Sequence, residues 1–329
     1  MSEPETPAGR SLTTLLIRFP LEDRHAQRLR DRFPDLNVVV APSAAEFQAL
    51  LPQAEAVVAW RLEPAEIAAA PKLRWLQTVG AGVEDVIVPA MAERGVILTN
   101  NSGVHAPNIS EHLLAMMLAF ARRLPFQVRG QVAHEWRDET GRQGVFELDG
   151  QTLLVVGLGD IGQALAKRAH ALGMEVIGVR RRGGELPEGV ARVVGLPELG
   201  QVLPQAHHVA VCLPLTPLTR GLFVKDAFDR MRTGAYIYNI GRGPIIDTAA
   251  LVAALSSGHL GGAGLDVTDP EPLPPNSPLW DMDNVIITSH TSGATPRYWD
   301  RAIAILESNI ERFRAGGELL NVVDLAMGY

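Results

Sequence analysis

Residues 152–180 read TLLVVGLGDIGQALAKRAHALGMEVIGVR, and the rest of the chain is organised around this stretch. An apolar strand runs into Gly157-Leu158-Gly159-Asp160-Ile161-Gly162, a G-x-G-x-x-G that opens a helix over 161–172, stopped by Gly173. Ile161, Ala164, Leu165, Ala169 and Leu172 fall on one helical face, and EVIGVR follows as a second strand. In this frame Gly157 permits the tight turn, Gly159 lets a pyrophosphate approach the backbone, and Gly162 lets helix and strand pack closely. The helix N-terminus offers its free N–H groups to the phosphates, so 157–162, Asp160 and Ile161 included, are the expected dinucleotide turn.

Similar βαβ patterning extends in both directions. Upstream, 11–19, 37–40, 54–59 and 73–78 read as strands and 22–33 and 44–51 as helices, a parallel sheet with crossover helices. Residues 107–124 predict an amphipathic helix, with Asn108 or Ser110 near its start, Glu111 in its first turn and Arg122-Arg123 at its end. Residues 126–148 show no clear period. Downstream, strands are expected at 207–213, 235–240, 262–267 and 284–289, completing a second doubly wound sheet, and a helix at 296–315 is expected to return to the first domain.

Composition excludes several function classes. The 329 residues suggest two domains, and 47% hydrophobic with 20% charged residues is the balance of a folded globular protein. A net charge of −7 offers no field to gather nucleic acid or anionic lipid. The lone Cys212 cannot form an intramolecular disulfide and reads as an inert thiol inside a strand, and no Cys/His spacing suits zinc. No metal is expected. With a polar N-terminus and no long apolar run, the cytoplasm is the expected compartment.

Ligands of open α/β sheets sit beyond the C-terminal strand ends. There the sequence places Asn239 and Arg242 in NIGRG, Asp266 within its strand, Glu271 just beyond, and His290 at the end of VIITSH. Hydride transfer to a ketone carbon requires a proton donor for the developing alkoxide, a role that suits His290. A carboxylate beside the imidazole orients it and favours its charged form, which suits Glu271. The planar fork of Arg242 can pair with a substrate carboxylate and polarise the adjacent carbonyl. His105 and His112, near the domain junction, read as packing or capping residues.

Motifs in a fixed order then give a resemblance: GAGVED, NISEHLLAMMLAFARRL, VVGLGDIGQALAKRA, CLPLTPLTRGLF, NIGRGPIIDTAAL, GLDVTDPEPLP and VIITSHTSG. Together they resemble the D-isomer-specific 2-hydroxyacid dehydrogenase family, most of all its glyoxylate/hydroxypyruvate reductases. The resemblance implies α/β architecture with a discontinuous flavodoxin-like substrate domain (1–103 and 297–329) and a Rossmann cofactor domain (104–296). Catalysis is expected in the cleft between them, closing around Asn101 and Pro296. Arg242, Glu271 and His290 become the expected catalytic trio. Asp266 is implied as a nicotinamide-amide ligand, with Pro214, Thr219, Ile240 and Gly293 near the cofactor. Backbone N–H groups of Gly80, Ala81 and Gly82 are implied to hold the substrate carboxylate, with Trp60 and Arg61 in the substrate loop. Ser289 stands where the family usually has Pro, and Glu84 where Asp is common. The chain ends before the position of the regulatory domain that many phosphoglycerate dehydrogenases carry.

Further expectations concern partners and cofactor choice. The stretch 126–148 is placed where the family makes its dimer contacts, with Trp136 as an anchor reaching toward the neighbour's active site. An NAD enzyme places Asp or Glu after the second strand of the dinucleotide unit; this chain has Arg180, Arg181 and Arg182. Guanidinium groups there match a 2′-phosphate, which predicts NADP(H) over NAD(H), with Arg180 and Arg181 as main contacts. The rival expectation is a cofactor-sensing, corepressor-like scaffold with little turnover.

Overall fold

The computed structural model describes residues 11–83, 86–87, 89–181 and 185–325. Strands β1 (Thr14–Ile17), β2 (Asn37–Val40), β3 (Ala56–Ala59), β4 (Trp75–Thr78) and β5 (Ile97–Thr99) form one parallel sheet, in the order β2-β1-β3-β4-β5. The second sheet is also parallel, built from β6 (Thr152–Val156), β7 (Glu175–Val179), β8 (Arg192–Val194), β9 (His208–Val211), β10 (Ala235–Asn239), β11 (Leu260–Leu265) and β12 (Val285–Ile287). Its order, β12-β11-β10-β9-β6-β7-β8, reverses direction between β6 and β9. These are the flavodoxin-like and Rossmann orders, each with a topological switch point.

The chain divides into two compact units, Met1–Val104 with Thr295–Tyr329, and His105–Ala294. Each sheet is covered on both faces, as parallel sheets require. In the second unit Leu154 and Val156 pack into one apolar layer with Phe228 and Ile237, while Leu153 and Val155 face the other with Met117, Leu165 and Tyr238. Alternate residues of one strand thus serve two cores. In the first unit, Leu15 and Ile17 share a layer with Ile303, Ile310 and Phe313 of the helix Tyr298–Arg314, which is how the C-terminal helix returns to the first sheet.

Several local expectations are corrected. Ala166 is buried in the helix Asp160–Ala171, whereas Leu172 lies past its end and is exposed. The helix Ala106–Ala121 begins earlier and ends sooner than its pattern suggested. Consequently Glu111 lies beyond the first turn, Ser110 bonds back to the Ala106 carbonyl at 2.7 Å, and Asn108 reaches the Ser292 carbonyl at 2.7 Å. Arg122 caps this helix and Arg123, at φ 52°, starts the next. The stretch 126–148 is not irregular: it holds the helices Leu124–Val132 and Asp138–Arg142. Its period was hidden because Leu124, Val128 and Val132, spaced at four, face outward and leave no core-facing stripe. Strands β5 and β8 have three residues each, too short for alternation to mark them.

Candidate active site

The glycine turn is built as its spacing requires. Gly157 has φ 111°, a conformation that favours glycine, and a Cβ on Gly162 would stand 2.0 Å from the Gly157 carbonyl oxygen. A Cβ on Gly159 would meet nothing within 4 Å, so the backbone there is open to a close-lying group. Asp160 begins the helix, whose first N–H groups have no intrahelical acceptor. An open backbone cradle at a helix N-terminus fits a pyrophosphate.

Three adjacent strands bring the polar residues to one edge. Asp266 follows the end of β11 directly instead of lying within it, and His290 comes three residues after β12. The ladder nevertheless continues past the strand ends: the Asp266 N–H donates to the Asn239 carbonyl at 3.0 Å, and the His290 N–H donates to the Asp266 carbonyl at 2.8 Å. The His290 backbone has φ 54°, uncommon for a residue with a side chain. Its Nδ1 lies 2.7 Å from Glu271 Oε1, both side chains reaching solvent. His290 and Glu271 are therefore brought together.

Arg242 is placed on the same edge by a separate device. Asn239, buried, accepts from the Gly241 N–H at 3.0 Å and donates to the Arg242 carbonyl at 3.0 Å. Glycine is needed at 243, where a Cβ would stand 1.9 Å from the Thr268 carbonyl oxygen. The loop carrying Arg242 thus packs directly on the loop that leads to Glu271.

Asp266 is more heavily engaged than its implied role required. Its carboxylate accepts from Thr288 Oγ1 at 2.6 Å, the Thr291 N–H at 3.0 Å, the Ser292 N–H at 3.1 Å and the Ser292 hydroxyl. Burial pushes its pKa up, but the bonds from Ser292, Thr288 and Thr291 outweigh this and hold it below the usual value. Those donors take up about the four acceptor positions of a carboxylate. Holding the 288–292 loop, and with it His290, is what Asp266 does with its own chain. Thr288 and Ser292 carry no signal in the sequence beyond being small and polar. His112, expected to pack or cap, bonds Thr288 Oγ1 at 3.1 Å and lies 3.9 Å from Asp266.

The remaining expected residues are more scattered. Thr219 closes its own turn, donating to the Pro214 carbonyl at 2.7 Å and accepting from the Thr216 N–H at 2.8 Å. Ile240 is buried, and the position of a Cβ on Gly293 is 3.7 Å from the His105 ring. Arg180 follows β7 and donates from Nη2 to the Glu185 carbonyl at 3.0 Å; Arg181 is exposed, and Arg182, like Glu84, lies outside the described residues. In the other unit Trp60 is exposed, its ring 3.5 Å from where a Gly80 Cβ would stand, and Arg61 pairs with Glu63 at 2.9 Å. Trp136 is 95% exposed beside a groove of about 820 Å³. Cys212 lies just past β9, its thiol pushed up to about 12 by burial. Among the described residues no group of three or more His, Cys, Asp and Glu could hold a metal, and no helix is long and apolar enough to cross a membrane.

Comparison with known proteins decides the family. Residues 114–292 match the family described as "D-isomer specific 2-hydroxyacid dehydrogenase, NAD binding domain". The chain belongs to that family. It is 38% identical to glyoxylate/hydroxypyruvate reductase B of Salmonella newport, over 74% of this chain and 78% of that protein. With D-3-phosphoglycerate dehydrogenase of Mycobacterium bovis it shares 33% identity over 97% of its length, yet spans only 60% of that relative. The crystal structure of a D-isomer specific 2-hydroxyacid dehydrogenase from Xanthobacter autotrophicus, in complex with NADPH and MES, superposes with a TM-score of 0.81. That match has 31% identity and covers 97% of this chain and 100% of the other.

Proposed function

We propose that this family member transfers a hydride between NAD(P)H and a small 2-oxoacid, forming a D-2-hydroxyacid, with glyoxylate and hydroxypyruvate as the favoured substrate class. The observation that carries this is the His290–Glu271 pair at 2.7 Å, held on the strand edge that also carries Arg242. A reduced nicotinamide, bound through the glycine turn, supplies the hydride. His290 gives its proton to the oxygen that was the carbonyl, and Glu271 keeps the imidazole oriented for that transfer. Arg242 pairs with the substrate carboxylate and polarises the adjacent carbonyl. The N–H groups of Gly80, Ala81 and Gly82 donate to that carboxylate, and Trp60 and Arg61 line the side-chain end. Ile240, Thr219, Pro214 and Gly293 lie near the cofactor, and Asp266 keeps the His290 loop in place.

NADPH is the proposed cofactor in preference to NADH, because Arg180 and Arg181 follow β7 where a carboxylate would otherwise meet the ribose. The NADPH complex of the Xanthobacter relative is in keeping with this. The chain is further proposed to act in the cytoplasm as a homodimer, joined through the outward face of Leu124, Val128, Val132 and Trp136. The test is an absorbance assay at the nicotinamide band with a panel of 2-oxoacids, phosphorylated ones included, and both cofactors. Turnover of glyoxylate or hydroxypyruvate with NADPH is the expected result. Tight dinucleotide binding without turnover of any 2-oxoacid would point instead to a cofactor-sensing scaffold.

A further inference from the structure

Three consecutive carbonyls in the loop at 79–81 are held by their own unit. The Gly80 carbonyl accepts from the Asn101 N–H at 3.0 Å, and the Ala81 carbonyl from Asn100 Nδ2 at 2.8 Å. The Val79 carbonyl accepts from the Tyr298 hydroxyl. A trans peptide is planar, so each pinned carbonyl directs the N–H of the next residue the opposite way. The Gly80 N–H makes only a long 3.4 Å contact with Thr78 Oγ1, and the N–H groups of Ala81 and Gly82 meet no acceptor among the described residues. Among the described residues the carbonyls of 79–81 are thus committed, while the N–H groups of Ala81 and Gly82 are not.

The Val79 carbonyl also takes a long 3.5 Å bond from Asn101 Nδ2, but its Tyr298 anchor arrives from the helix Tyr298–Arg314 and ends a relay that is buried up to Asn101. Thr99 Oγ1 donates to Gln77 Oε1 at 2.7 Å, Gln77 Nε2 donates to Asn101 Oδ1 at 2.8 Å, and Asn101 Nδ2 donates to the Tyr298 oxygen at 2.8 Å. Asn309 adds a bond to Gln77 at 3.2 Å. With its oxygen taken by the Asn101 amide, the Tyr298 hydroxyl has its own proton left for Val79. Burial pushes that hydroxyl up to about 12, so it remains a donor at neutral pH. A fully bonded buried relay of this kind holds one geometry.

We infer that Tyr298 is a positioning residue for the substrate carboxylate: its hydroxyl, oriented by Asn101, holds the Val79–Gly80 peptide from which the loop departs, so that the N–H groups of Ala81 and Gly82 face the carboxylate. This rests on the proposed role of the 80–82 loop. Nothing in the proposed catalytic trio is involved, so removing the hydroxyl should weaken substrate binding and spare the chemical step.

The experiment compares Tyr298→Phe with the wild-type enzyme on glyoxylate at saturating NADPH, alongside NADPH affinity and binding of oxalate as a carboxylate probe. KM for glyoxylate and Kd for oxalate are expected to rise about fivefold to tenfold, the scale of one hydrogen bond, with kcat within about twofold and NADPH affinity unchanged. Asn101→Asp offers the tyrosine proton a competing acceptor and is expected to raise the same KM; it carries the test should the first variant fold poorly. If both variants keep the wild-type KM and oxalate affinity, or lose only kcat, the inference falls while the proposed reaction stands. A wild-type protein that neither turns over 2-oxoacids nor binds oxalate would remove both.

Discussion

His290 shows how the backbone of a single residue sets the direction of its side chain. At φ 54° its side chain leaves the strand edge at an angle that an extended residue would not take, and Glu271 meets it at 2.7 Å. On the proposed reaction, His290→Ala and Arg242→Ala are each expected to lower kcat/KM by at least about a hundredfold, the scale of positioned acid–base catalysis, with dinucleotide affinity intact. Stopped-flow titration of NADPH beside steady-state kinetics measures both, and a His290→Ala enzyme at wild-type rate would remove the proton donor from its assignment. The arginines after β7 give a second expectation. Replacing Arg180 and Arg181 together with Ala should raise KM for NADPH at least about tenfold more than KM for NADH, since charge-assisted bonds to the 2′-phosphate have no counterpart in NADH. Equal effects on the two cofactors would mean that the guanidinium groups point away from the ribose.

At the scale of elements, β9 and β10 share a buried polar seam. His208 bonds Tyr238 through Nδ1 at 3.0 Å and Gln151 through Nε2 at 2.7 Å, and it stacks on Tyr236 at 5.4 Å. Burial, with His207 beside it, pushes the His208 imidazole down to about 3. The folded protein therefore keeps this histidine neutral at pH values where the unfolded chain charges it, so unfolding takes up a proton. Its contribution is complete above about pH 6.5 and declines toward pH 3, at about 1.4 kcal/mol per pH unit. Between pH 6.5 and pH 5 the wild-type protein should lose about 2 kcal/mol of unfolding free energy that His208→Gln does not. Urea titrations at the two pH values measure the difference; identical pH dependence in both proteins would show that His208 does not titrate on unfolding.

On the scale of the whole molecule, the helix Leu124–Val132 presents Leu124, Val128 and Val132 outward, with Trp136 beyond them. Large side chains aligned on one exposed helical face call for a covering surface, and a second copy supplies the same face by symmetry. Sedimentation equilibrium at micromolar concentration is expected to give a dimer for the natural protein and a monomer for Val128→Glu with Val132→Glu, because charge cannot be buried there without a partner. A natural protein that sediments as a monomer would leave this face without the proposed function.

The features that depend on short-range pattern are legible before any folding is known. The glycine turn at 157–162, the order of most strands, and the placement of Arg242, Glu271 and His290 near strand ends all follow from local periodicity and from the steric needs of glycine. Asp266 was legible as a polar residue at the sheet edge; that it spends its carboxylate on Thr288, Thr291 and Ser292 was not. The short strands β5 and β8 and the helix Leu124–Val132 escaped for related reasons, the strands too brief to alternate and the helix with its apolar side turned outward. Tertiary structure alone decided the contacts between residues far apart in the chain. No spacing in the sequence couples Tyr298 to Val79, because that bond exists only when the last helix has packed on the first sheet, where burial makes each unpaired polar group costly and so selects one bonded arrangement.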